Sequence, residues 1–79
     1  MNKSKGSLTM SIVQNKVGMY LFGDEEYEDV IHMIRYFAEN GAHAINLSVE
    51  KGYFPEKSYI DDLIEFADSL GVLMIYKGV

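Results

Sequence analysis

Few residue types in this chain can do chemistry. There are two histidines, His32 and His43, twelve carboxylates and no cysteine. His32 follows Glu28 by one helical turn, the spacing of an ordinary surface pair contributing a few tenths of a kcal/mol. His43 opens an apolar run and reads as a half-buried edge residue rather than a base. Without thiolates or an HxxxH-type pair, the histidines give no metal site. Asp61 and Asp62 are adjacent, and adjacent helix positions diverge by about 100°, so they do not converge on one proton. Ser58 reads as a helix cap rather than a nucleophile or phosphosite. Neither GxGxxG nor GxxxxGK[ST] occurs, so a nucleotide site has no motif behind it. The expectation is a protein without catalysis, cofactor or metal.

The elements that would position any site are easier to read. Twice an amphipathic stretch runs into a glycine and continues as an apolar strand. Tyr27 to Asn40 leads through Gly41 into Ala42–Val49, and Ser58 to Leu70 leads through Gly71 into Val72–Tyr76. A helix closed by a left-handed glycine and followed at once by a strand is the αβ half of a βαβ unit. Upstream, Leu8 to Gln14 alternates as a half-buried strand, Asn15-Lys16 serves as a short hairpin turn, and Val17 to Phe22 is a second strand. Asp24 is placed to cap the first helix, with Glu25, Glu26 and Glu28 near its positive end. Ser58 and Asp61 match the capping-box pattern for the second. The buried stripes are Tyr27, Val30, Ile31, Ile34, Phe37 and Ala38, then Ile60, Leu63, Ile64, Ala67 and Leu70.

The order is therefore β-β-α-β-α-β, an α/β (two-layer α+β) domain with a four-stranded mixed sheet. Residues 1–6 read as a disordered tail and 7–79 as the single domain. With strands two, three and four adjacent in that order, right-handed crossovers put both helices on one face of the sheet, whereas a different order would put one helix on each face and bury everything. The strands nevertheless stay apolar on both parities, which an antiparallel sheet with one wet face does not do. Val13, Tyr20, Phe22, Leu73 and Ile75 then form an apolar patch on the helix-free side, a feature that marks an interface. The carboxyl ends of the strands form a second candidate, where ligands favour open α/β sheets. The loop there carries Gly52, Tyr53, Phe54 and Pro55, whose two aromatic rings either bind something or fold back over a small core.

Composition narrows the classes further. A net charge of −5 disfavours contact with a phosphate backbone. No apolar run approaches the ~20 residues of a membrane span, and the polar start (Asn2 to Ser7) does not read as a signal peptide. Absence of cysteine fits the cytoplasm.

The turn region Ser11-Ile12-Val13-Gln14-Asn15-Lys16-Val17, the strand end Ser48-Val49-Glu50-Lys51, and the second helix closing on Gly71 together resemble the soluble domain of the ExbD/TolR family. The resemblance spans residues 8–79 through short motifs and implies a non-enzymatic domain that dimerises through its sheet. The membrane anchor of that family has no counterpart here, and the loop before the second helix is longer, so a membrane role is not carried over. The STAS domains of anti-sigma-factor antagonists are similar as well, with a strand like Ile45-Asn46-Leu47-Ser48. Their phosphorylatable DSSG and later helices are missing, and Phe54-Pro55-Glu56-Lys57-Ser58 stands in the place of the former.

Three functions are thus expected, in this order. The first is a protein-binding module that pairs with itself and an unidentified protein through the sheet face. The second is an acidic inhibitor of a nucleic-acid-acting protein, of the kind mobile elements encode. It would use Glu25, Glu26, Glu28, Asp61, Asp62 and Glu65 against a basic site. The third is a small-molecule-binding domain at the carboxyl rim.

Overall fold

Both helices end in the same local structure, and that structure sets the architecture. In the computed structural model, which describes residues 15–77, helix α1 spans Tyr27–Glu39 and helix α2 spans Lys57–Ser69. After α1, Gly41 N–H donates to Ala38 O and Ala42 N–H to Phe37 O; after α2, Gly71 N–H donates to Asp68 O and Val72 N–H to Ala67 O. Each is a Schellman motif. Gly41 and Gly71 take φ of 92° and 79°, values that disfavour any residue with a Cβ. The residue after each glycine, Ala42 or Val72, is buried and starts the path into a strand.

The strands are β1 (Lys16–Leu21), β2 (Ala44–Val49) and β3 (Leu73–Tyr76), parallel and in sequential order β1-β2-β3. The α/β class is as expected. Among the described residues, however, the sheet has three strands, all parallel, instead of four in a mixed sheet. The expected strand Leu8–Gln14 lies outside the described residues, and so does Val13. The expected hairpin turn is corrected at Lys16, which is already in β1 opposite Ala44. Asn15 instead ties β1 to the α1–β2 turn: its carbonyl accepts from His43 N–H at 2.9 Å, and its side-chain amide donates to Gly41 O.

One parity of every strand is buried. Met19 and Leu21, Ile45 and Leu47, and Met74 pack against Val30 and Ile34 of α1 and Ile60, Leu63 and Ala67 of α2 in one core. The registers Val17↔Ile45↔Met74 and Met19↔Leu47↔Tyr76 align these side chains across the sheet. Each fully buried aliphatic side chain contributes roughly 1.5–3 kcal/mol. Arg35 of α1 lies over the Phe66 ring of α2 at 5.4 Å, a cation–π contact bridging the two helices. No described helix is long and apolar enough to cross a membrane.

The helix starts differ from expectation. The N-cap of α1 is Glu26 rather than Asp24, and that of α2 is Glu56 rather than Ser58; neither has a side-chain cap bond. Ser58 sits inside the first turn of α2, and Asp61 pairs with Lys57 at 2.7 Å instead of closing a capping box. Tyr27 and Leu70, expected in the buried stripes, are exposed because they sit at helix ends, at the margin of the core.

Candidate functional site

Two regions carry the residues of interest, and they differ in how they are built. The first is the second parity of the strands. Alternation that buries Met19 and Leu21 must turn Gly18 and Tyr20 the other way. The register lines up Lys16, Ala44 and Leu73 in one row and Gly18, Asn46 and Ile75 in the next, with Tyr20 beside Ser48. Tyr20, Phe22 and Leu73 are 45%, 62% and 63% exposed, while Ile75 is half-buried. The expected patch is therefore two ridges rather than one sheet of apolar surface. An aromatic ridge stands on β1, where the Tyr20 and Phe22 rings meet edge-on at 4.9 Å. An aliphatic ridge stands on β3. Ala44, Asn46 and Ser48 of β2 lie between them, and Gly18 leaves a gap in the β1 row. The Tyr20 hydroxyl donates to Glu50 Oε1 at 2.5 Å, and this bond, with smaller help from burial and the Glu50 charge, holds the phenol above its usual pKa.

The second region is the carboxyl rim. Here the Glu25 carboxylate folds back to accept from Phe22 N–H at 2.7 Å and Gly23 N–H at 3.0 Å, closing the turn between β1 and α1. Burial pushes the Glu25 pKa up, but the backbone donors at Phe22, Gly23 and Glu25 itself outweigh it and leave the group below the ordinary value. The Tyr53 ring lies 3.1 Å from where a Cβ on Gly23 would sit, so a side chain there would have to push the ring aside and would be strained at φ of 108°. Glu25, Tyr27, Tyr53, Phe54, Pro55, Glu56 and Tyr59 line a cleft of about 380 Å³. The Tyr27 and Tyr59 rings are 6.1 Å apart and inclined at 58°. Burial, then the neighbouring Tyr53, Glu25 and Tyr27, raise the Tyr59 pKa.

The two rings of the loop differ in burial. Tyr53 is half-buried and packs against the core, whereas Phe54 is 72% exposed. Gly52 forms the turn ahead of them with φ of 91°, and Pro55 lines the cleft. Sequence reasoning missed two members of this cluster, Tyr27 and Tyr59. The signal was present: each tyrosine falls in the first turn of a helix whose N-terminus adjoins the carboxyl end of the sheet.

The acidic residues are not all alike. Glu25 is committed to the turn, Glu26 and Glu28 stand at the start of α1, and Asp61 is engaged by Lys57. Asp62 and Glu65 are exposed on α2. Asp61, Glu65 and Asp68 flank a groove along β3 with Val72, Leu73 and Met74. His32 is exposed on α1. His43 is exposed too, at the start of the central strand, which corrects the half-buried edge position expected for it. Among the described residues no group of three or more histidines and carboxylates is arranged to hold a metal ion.

No known protein family, curated protein or solved structure matches this chain.

Proposed function

We propose that this chain is a non-catalytic protein-binding module that pairs with a second copy of itself through the helix-free face of its sheet. The observation that carries this reading is the exposure of Tyr20, Phe22 and Leu73 on a parallel sheet. All-parallel sheets occur almost only with both faces covered, because their strands are apolar on both sides. Here one face has its two helices and the other has none among the described residues.

A second copy suits this face for reasons of charge. The acidic residues concentrate on the two helices and at the carboxyl rim. On the face itself, among the described residues, the carboxylate of Glu50 accepts the Tyr20 hydrogen bond, and alternation places Lys16 at one margin. Two copies can therefore meet there without setting their net negative charges against each other. The apolar ridges and the β2 residues between them also supply the area that a desolvated interface centre requires.

The size of the face sets the strength. β1 and β2 are six residues long and β3 four, and a spacing of about 4.8 Å gives a footprint of at most roughly 14 by 20 Å. At roughly 300 Å² per copy this is below the ~800 Å² per partner of a standard interface, so the dimer is weak and transient, with a dissociation constant of micromolar or weaker. Sedimentation of the wild type and of Phe22→Asp tests this. The wild type should dimerise with rising concentration and the variant should remain a folded monomer. A wild type that stays monomeric at high concentration contradicts the reading, and so does a variant that dimerises equally well.

A further inference from the structure

The carboxyl-rim cleft is independent of the sheet face and points to a ligand of its own. Its walls are the rings of Tyr27, Tyr53, Phe54 and Tyr59, and among the described residues its ionisable groups besides the phenols are the carboxylates of Glu25 and Glu56, with no lysine, arginine or histidine. Four aromatic side chains meeting at the end of a small sheet are not explained by the core, which uses only part of them. Phe54 and Tyr27 are left 72% and 47% exposed.

Charge and ring geometry select the ligand class. Both helices begin beside the cleft, and a helix N-terminus alone would favour an anion. In this chain Glu28 and Asp29 lie in the first turn of α1 and Glu56 caps α2 ahead of Lys57, and the carboxylates on the cleft wall, Glu25 and Glu56, oppose an anion there. The Glu25 charge is fixed in place by the two backbone N–H groups it accepts from. A small hydrated metal ion would need several oxygen ligands converging at short range, and the described residues offer no such group. A neutral apolar ligand would gain nothing from the carboxylates. A bulky, weakly hydrated cation gains from both kinds of wall, since ring faces attract cations within about 6 Å of the centroid. The Tyr27 and Tyr59 rings, 6.1 Å apart and inclined at 58°, both line the cleft and offer their aromatic surface to a cation held there.

We propose that this cleft binds a quaternary or alkylated ammonium group, with Tyr27, Phe54 and Tyr59 as its aromatic walls and Glu25 and Glu56 as its counter-charges. The group can belong to a free choline-like molecule or to a methylated lysine, which present the same chemistry. The affinity expected from so open a site is millimolar for the isolated cation.

The test is an amide-resolved titration of the whole chain with choline chloride, with 3,3-dimethyl-1-butanol, its uncharged carbon counterpart, and with sodium chloride at matched ionic strength. Choline should give saturable shifts centred on Gly23, Glu25, Phe54 and Tyr59, and the neutral alcohol should bind about tenfold more weakly or less, which corresponds to about 1.4 kcal/mol. Phe54→Ala lies in an exposed loop and should fold normally yet weaken choline several-fold; Glu56→Gln should do the same. A trimethyllysine peptide separates the sources: tenfold tighter binding than choline supports a protein-borne ligand, and equal binding supports a free one. Three results overturn the proposal: equal binding of choline and the alcohol, shifts that sodium chloride reproduces, or no saturation below about 50 mM, where affinity falls under roughly 2 kcal/mol.

Discussion

The two faces of the sheet are made from the same three strands, one residue out of step. On one face Met19, Leu21, Ile45, Leu47 and Met74 are buried under two helices. On the other, Tyr20, Phe22 and Leu73 stand in the open beside Gly18, Asn46 and Ser48. The difference lies in the side-chain partners, since backbone pairing is common to both faces. Aliphatic residues that meet helix stripes form a core; aromatic and aliphatic ridges with no helix above them form a surface that another molecule can cover. The comparison teaches that hydrophobicity alone does not assign burial in a two-layer domain, because the crossover geometry decides which parity is covered.

The largest expected effect comes from adjacent residues of β2 that face opposite ways. Ile45→Ala removes a fully buried side chain and should cost about 2–5 kcal/mol, enough to unfold much of a domain this small. Asn46→Ala should change stability by less than about 0.5 kcal/mol. Urea denaturation of the two variants checks this; similar losses for both would erase the distinction between the faces. Next is Gly71→Ala, which strains the turn that delivers β3 in register. A Cβ there meets nothing within 4 Å, so the cost is conformational alone, about 1–2 kcal/mol at φ of 79°. Thermal unfolding should show a lower midpoint, by about 4–8 °C for each kcal/mol.

A smaller effect concerns the rim. The folded-state pKa of Glu25 lies below its unfolded value. Its contribution to stability is therefore present above the unfolded value and fades as the pH falls through the folded one. Thermal midpoints followed downward from neutral pH should drop more for the wild type than for Glu25→Gln. Parallel curves would remove the turn from the account. Smallest of all, charge reversal at Asp62 and Glu65 should leave folding and self-association nearly unchanged, because both residues are exposed on the helix side. A loss of self-association in that variant would move the interface from the sheet to α2.

What was legible in the sequence follows the range of the interactions. Gly41 and Gly71 announced both helix ends because a Schellman motif is local and needs a left-handed residue. Which parity of β1 and β3 is covered was not written locally, since both parities of those strands are apolar. The helix starts were misread, since Asp24 and Ser58 have the right chemistry for caps but the helices begin at Glu26 and Glu56 without side-chain bonds. Periodicity placed Tyr27 and Leu70 inside, yet it says nothing of where the covering layer ends. The rim cluster was half seen. Tyr53 and Phe54 stood out as aromatic residues in a loop, but their meeting with Tyr27 and Tyr59 depends on two helix starts approaching in space. No local pattern encodes that.

The central claim, that the helix-free face is the contact surface, is tested most directly by following every backbone amide through a dilution series. The account predicts concentration-dependent shifts at Gly18, Tyr20, Phe22, Asn46, Ser48, Leu73 and Ile75, with α1 and α2 unchanged on their outer sides. Shifts confined to the helices would contradict it, as would a spectrum that stays the same from the most dilute sample to the most concentrated.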